Sequence, residues 1–231
     1  MSARNVLLLP GMMCDERLWS HQIAAIDVPV YVADMSQSDN LAEMATRVLA
    51  AAPSRFAMAG LSMGGLLAFE IWRQAPERVT HLALLDSNPH PDAPNRRSIR
   101  YEQIAAAASG RLRELAIESL KPMYLADKNR DDDAILGTVL DMALALGPDV
   151  FERQSLAVMN RPDSVPTLTS ITCPTVVICG REDTICPVRF HELMASEIPG
   201  ADLVVIDECG HLSSMEEPEI VTRELLRLFA K

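Results

Sequence analysis

Apolar residues are distributed along the chain in two alternating ways. In short runs they are almost continuous: "NVLLLP", "VPVYVADM", "RFAMAG", "VTHLALLD", "PTVVICG" and "ADLVVIDE". Such runs, rich in Val, Leu and Ile and without strict alternation, predict six buried strands of a parallel sheet covered on both faces. Between them apolar residues recur every three or four positions. In "NLAEMATRVLAAAP", for example, Leu41, Met44, Ala45, Val48 and Leu49 share a face and Pro53 ends it. Segments "DERLWSHQIAAI", "SMGGLLAFEIWRQAP", "CPVRFHELMASEIPG" and "PEIVTRELLRLFAK" read the same way. Strand and helix alternate, which predicts an α/β fold with a doubly wound, mainly parallel six-stranded sheet flanked by helices.

One long stretch breaks the alternation. From Pro89 to Cys173 there is no strand-like run, only helical spacing. Ile104, Ala108, Leu112, Leu115 and Ser119 fall near one face of a helix interrupted at Gly110, and Ile135, Val139, Met142, Ala143 and Leu146 form a second stripe. The expectation is a single domain, 1–231, with a helical cap inserted over 89–173. The polar piece "DKNRDDD" reads as an exposed turn.

Composition narrows the function. The net charge of −11 disfavours nucleic acid and anionic lipid as partners. No apolar run reaches the length of a membrane span, and "MSARNVLLLPG" lacks a secretory signal pattern. Five cysteines at scattered positions, Cys14, Cys173, Cys179, Cys186 and Cys209, fit a reducing compartment, and the cytoplasm is expected. Cys209 precedes His211 by two positions, but no further ligands stand at zinc-site spacing, so neither a metal nor an organic cofactor is expected.

The candidate chemistry centres on "GLSMGG", Gly60–Gly65. A serine hydroxyl is a useful nucleophile only when a base takes its proton, when it is presented openly, and when donors meet the developing oxyanion. "GLSMG" fits G-x-S-x-G between a strand and a helix, where Gly60 and Gly64 leave room for a sharp turn around Ser62. The N–H of Met63, at the start of the following helix, faces the position where charge develops. The N–H of Met12, after Pro10-Gly11 on the loop leaving the first strand, is the second candidate donor.

Among the histidines, His21 and His191 fall in helices, His81 beside a strand and His90 in a proline-rich exit, all of which read as surface or packing positions. His211 instead follows the last strand in "IDECGHLSSMEEPE", at the carboxyl edge where open α/β sheets place their sites. For the orienting acid, Asp183 on the loop after the penultimate strand is favoured. Asp86, ending "LALLD", is the main rival and Glu182 a weaker one. Read alone, Asp183 would be a loop-capping carboxylate, but the chain order Ser, Asp, His fits a triad, and Asp183 is taken over Asp86.

Taken together, "LLLPGMM", "GLSMGG", "GREDTICP" and "CGHLSSMEEPE" resemble the oxyanion loop, nucleophile elbow, acid loop and histidine loop of the α/β-hydrolase superfamily. The likeness is strongest to small capped serine esterases, enol-lactonases and MenH-like enzymes. It implies a triad of Ser62, Asp183 and His211 acting on a small-molecule ester, thioester or lactone. The alternatives are a carbon–carbon bond hydrolase or MenH-like lyase using the same triad, and a non-catalytic small-ligand receptor on the same fold, which an intact triad weighs against. Pro10-Gly11 stands where the family often has His-Gly, and the chain begins where the family's third strand normally lies, so a minimal sheet is expected.

Overall fold

The computed structural model describes residues 3–118 in full, the backbone of 119–120, and residues 123–231. Six strands form one sheet: β1 (Val6–Leu9), β2 (Val30–Val32), β3 (Phe56–Leu61), β4 (Val79–Leu85), β5 (Thr175–Gly180) and β6 (Asp202–Ile206). Their order is β2-β1-β3-β4-β5-β6, and every neighbouring pair is parallel. Each strand coincides with one of the six apolar runs.

Burial is less uniform than the runs predict. β1, β3 and β5 are buried throughout and β4 nearly so, but β2 and β6 are the sheet's edges. Tyr31 on β2 is 42% exposed and Leu203 on β6 is 38% exposed. An edge strand has a neighbour on one side only, so an apolar run does not guarantee full cover.

Helices α1 (Ser20–Ala25), α2 (Leu41–Ala51), α3 (Met63–Gln74) and, later in the chain, α9 (Val188–Glu197), α10 (Ser213–Glu216) and α11 (Pro218–Phe229) connect or follow the strands. α2 starts where it does because the Asn40 side chain accepts from the N–H groups of Ala42 and Glu43, at 2.9 and 3.1 Å. Its Leu41, Met44, Ala45 and Val48 then join Phe69 and Trp72 of α3 in the core on one face of the sheet. Val221, Leu225, Leu228 and Phe229 of α11 pack with Trp19 on the other face.

Between β4 and β5 the described residues form helices and turns only: α4 (Arg97–Ala106), α5 (Leu112–Leu115), α6 (Asp133–Leu146), α7 (Pro148–Met159) and α8 (Val165–Leu168). α4 and α5 are joined by a π-helical turn containing Gly110 at φ 85°. Ala107 is buried and Ala108 exposed, whereas spacing placed Ala108 inward; the helix breaks at Gly110, beyond which Leu112 and Leu115 are buried as the spacing predicts. Ser119 lies outside the residues whose side chains are described. Val139, Met142 and Ala143 of α6 are buried as the spacing predicts. The "DKNRDDD" turn has a structural task as well, since Asp132 accepts from the N–H groups of Ala134 and Ile135 and so caps α6. Among the described residues no single helix is long and apolar enough to cross a membrane; the apolar α6–α7 pair bends by 97°. All five cysteines are free thiols.

The winding of the sheet reverses between β1 and β3, so the loops leaving these two strands diverge and open a crevice at their carboxyl ends. Leu9 is in register with Gly60, which puts Pro10 to Met13 beside Ser62.

Candidate active site

Ser62 sits between the last residue of β3 and the first of α3 with φ 55° and ψ −114°. A non-glycine residue there is strained and persists only when its surroundings hold it. Here they do. Its N–H donates to the Leu85 carbonyl at 2.9 Å, and its carbonyl accepts from the Ser87 hydroxyl at 2.9 Å. The turn also brings α3 against β1: a Cβ on Gly64 would stand 2.0 Å from the Leu9 carbonyl oxygen, so only glycine fits.

The loops after β5 and β6 are locked together in the same manner. A Cβ on Gly180 would stand 2.1 Å from the Gly210 carbonyl oxygen. The buried Glu216 carboxylate accepts from the N–H of Gly210 at 2.9 Å through one oxygen, and from the N–H of Ala126 at 2.8 Å and the side chain of Asn129 at 3.1 Å through the other. The His211 N–H donates to the Tyr124 carbonyl at 2.7 Å, and the Tyr124 ring stacks on the imidazole with centroids 6.2 Å apart.

These constraints bring Ser62, His211 and Asp183 into one chain. Ser62 Oγ lies 2.9 Å from His211 Nε2, and His211 Nδ1 lies 2.8 Å from Asp183 Oδ2. The other carboxylate oxygen of Asp183 accepts from the N–H groups of Ile185 and Cys186, both at 2.8 Å. A carboxylate so placed can only accept, which assigns the proton to Nδ1 and leaves Nε2 as the acceptor facing the serine hydroxyl. Burial opposes the charged imidazole, but the charge and hydrogen bond of Asp183 outweigh it, and the His211 pKa rises above the ordinary 6.5. Burial likewise opposes the Asp183 carboxylate, yet His211 and the two backbone donors hold its pKa below the usual value.

The N–H groups of Met12 and Met63 have no hydrogen-bond partner among the described residues, and both residues line the pocket that Ser62 and His211 face. Unpaired amides beside a reactive hydroxyl are a ready site for an oxyanion. A side chain distant in sequence shapes this loop. Gln154 of α7 accepts from the Met13 N–H at 2.7 Å and donates to the Met35 carbonyl at 3.1 Å, holding Met13 at φ 56°.

The pocket is a cavity of about 140 Å³. Met12, Met63, Leu66, Val158 and Ile185 make its apolar wall, and Asn88, Asp92, Arg96, Arg100 and Arg161 its polar one. Asp183, Cys186 and His211 also place possible metal-ligating atoms within 4.8 Å of one another. Those donors are already engaged: Asp183 and His211 bond each other, and burial pushes the Cys186 thiol well above its usual pKa, so no thiolate is on offer.

The rival acid occupies a different place. Asp86 is fully buried and accepts from the Gly180 N–H at 3.1 Å and from the N–H and hydroxyl of Ser213 at 3.1 and 2.5 Å, tying the end of β4 to the loops that carry Asp183 and His211. Burial, and then the neighbouring charge of Asp183, push its pKa up to about 8. Glu182 accepts from the Asp127 N–H at 2.8 Å. His21 is exposed and His81 buried. His90 packs edge-on against Phe190. His191, which reads in sequence as a packing residue, is fully buried and its Nε2 accepts from the Ser87 N–H at 2.9 Å; burial lowers its pKa to about 4, so the ring is a neutral acceptor. Ser87, Gln154 and Tyr124 carry no local signature that would single them out, because each acts on a loop far away in the chain; Glu216 acts on Gly210, six positions before it, and also on the distant Ala126 and Asn129.

Comparison with known proteins gives the family. Residues 6–224 match the model of the alpha/beta hydrolase family. A pimeloyl-[acyl-carrier protein] methyl ester esterase of Nitrosomonas europaea is 27% identical over 217 residues, covering 88% of this chain and 82% of the relative. A thermophilic esterase from Thermogutta terrifontis superposes with a TM-score of 0.88 at 28% identity, over 100% of this chain and 92% of that one. The enol-lactonase of Burkholderia xenovorans superposes with a TM-score of 0.87 at 19% identity, over 99% and 92% of the two chains, a likeness of fold alone. With the family model matched over nearly its whole length, the chain belongs to the alpha/beta hydrolase family.

Proposed function

We propose that the chain is a serine hydrolase that cleaves a carboxylic ester, thioester or lactone through an acyl-enzyme on Ser62. The observation that carries this reading is the continuous hydrogen-bonded series from Ser62 through His211 to Asp183, at 2.9 and 2.8 Å, next to two amides that have no partner among the described residues. His211 Nε2 takes the hydroxyl proton as Ser62 Oγ attacks the carbonyl carbon. The Met12 and Met63 amides stabilise the oxyanion, a contribution of about 2.7–4 kcal/mol for one donor. The oxyanion collapses, the bond to the alcohol or thiol breaks, and His211 returns the proton to the leaving group. Water, deprotonated by the same imidazole, then attacks the acyl-enzyme and frees the acid and Ser62.

The helical segment 89–173 acts as a cap in this reading, since Arg96, Arg100, Val158 and Arg161 from it form part of the pocket above the serine. Five free cysteines suit a reducing compartment, and on that ground the cytoplasm is the proposed location. The relatives named above at 27% and 28% identity are both esterases, which favours ester hydrolysis over carbon–carbon cleavage and over a receptor without turnover.

A fluorophosphonate probe tests the reading. Stoichiometric labelling at Ser62, with matching loss of p-nitrophenyl ester hydrolysis, is the expected result. Labelling at another serine, or an ester hydrolysis that survives full labelling, would refute it.

The pH profile supplies an independent check. Only neutral His211 accepts the serine proton, so kcat/KM for a neutral ester rises with pH through the His211 titration. Because Asp183 raises that pKa, the acid limb is expected to have its midpoint above 6.5. A midpoint below 6.5 would mean that the Asp183 charge does not govern the imidazole.

A further inference from the structure

The whole chain is acidic, with a net charge of −11, yet the pocket over Ser62 is cationic. Its described lining contains three guanidinium groups, Arg96, Arg100 and Arg161, and a single carboxylate, Asp92. Asp92 is shared. Arg100 grips it through two bonds, 2.5 and 3.0 Å, and Arg161 reaches it at 3.1 Å. Arg161 is further held by the carbonyls of His90 and Val158, both at 2.8 Å. All three members of this cluster are largely withdrawn from water: the side chains of Asp92, Arg161 and Arg100 are 6%, 8% and 13% exposed. One carboxylate therefore serves two nearly buried cations. Arg96, at the more exposed edge of the same pocket, makes no ion pair or side-chain hydrogen bond with the described residues.

Holding surplus positive charge in a partly desolvated wall is unfavourable until an anion arrives, and an arginine fork matches a carboxylate with two parallel donors. The cavity is small, about 140 Å³, so an anion held by this wall lies within a few bonds of the carbonyl attacked by Ser62. We infer that the preferred substrate is a short-chain ester or lactone bearing a free carboxylate, with Arg96, Arg100 and Arg161 forming the carboxylate subsite; this rests on Ser62 being the nucleophile. Leu66 and Val158 then cover the methylene groups between the two ends, and Arg96, the guanidinium without an ion-pair or side-chain hydrogen-bond partner among the described residues, is the one most available to the ligand.

The test compares two substrates of equal shape, monomethyl glutarate and its neutral analogue with a carboxamide in place of the carboxylate. One charge-assisted hydrogen bond corresponds to about a tenfold preference or more, so kcat/KM should favour the half-ester by at least that factor. Arg96→Gln should reduce the ratio about tenfold, and Arg96→Lys should retain part of it, because the ammonium keeps the charge without the fork. Taking both substrates on the same variant cancels any loss of active protein. Glutarate should also protect Ser62 from the fluorophosphonate better than glutaramide does. Absence of labelling at Ser62 would overturn the nucleophile itself. Labelling at Ser62 with a substrate ratio near one, a ratio indifferent to Arg96→Gln, or no selective protection by glutarate would overturn the carboxylate subsite and leave the serine hydrolase standing.

Discussion

Ser62→Ala is expected to lower kcat for ester hydrolysis by about 10⁶-fold, the loss seen when a triad nucleophile is removed. The effect is that large because the hydroxyl is the end point of everything around it. Its imidazole partner, the carboxylate behind that imidazole and the two unpaired amides contribute nothing to covalent catalysis once no oxygen can attack. The remaining activity should be insensitive to fluorophosphonate. Stability should hardly change, since the elbow is fastened through the backbone N–H and carbonyl of residue 62, which alanine keeps. Stopped or steady-state assays with a thermal melt on the same sample check both halves. Retention of more than a small fraction of native turnover would show that another group attacks.

Asp183→Asn should come next, with a kcat loss of about 10⁴-fold. The local donors dictate the reason. Ile185 and Cys186 both aim their N–H groups at one carboxylate oxygen, so the asparagine carbonyl is drawn to that side and its NH₂ is turned towards His211. An amide donor facing Nδ1 forces that nitrogen to accept, which moves the ring proton to Nε2 and deprives Ser62 of its base. The acid limb of the pH profile should fall at the same time, as the charge that raises the His211 pKa is gone. Asp86→Asn is the informative contrast. Asp86 receives Gly180 and Ser213 rather than His211, so its loss should weaken the joint between three loops, by about 1–3 kcal/mol in urea unfolding, with a far smaller effect on kcat. If the two variants exchanged phenotypes, the acid would have been misassigned.

The contrast shows where the sequence stopped being legible. Asp86 directly follows β4 and Asp183 lies three residues beyond β5, both at the carboxyl edge of the same parallel sheet and both between Ser62 and His211 in the chain, so strand pattern and chain order admit either. A single difference of geometry separates them: one carboxylate is 2.8 Å from His211 Nδ1, and the other is spent on a backbone N–H and a serine. Ser62 and His211 were easier to read because Ser62 directly follows an apolar run between Gly60 and Gly64, and His211 follows Gly210 on the loop after the last strand; these glycines are required where backbone meets backbone, as at Gly64 on Leu9 and Gly210 on Tyr124 to Ala126.

By itself, then, the sequence determined the six strands, the alternation that makes them parallel, and the loops that carry Ser62, His211 and Asp183, the proposed nucleophile, base and acid. Those are properties of near neighbours in the chain: hydrophobic period, turn residues and the order of elements. Only the tertiary structure decided that Gln154 shapes the loop of Met12, that Tyr124 holds His211 and Glu216 ties its loop to Ala126, and that Arg96, Arg100 and Arg161 overlook Ser62. Arg96 and Arg161 are exposed-looking residues in a polar stretch when read in line. They meet in one pocket because helices lying between β4 and β5 fold back over the carboxyl end of the sheet, and a helical period reports which face is apolar without reporting what that face, or its polar edge, will meet.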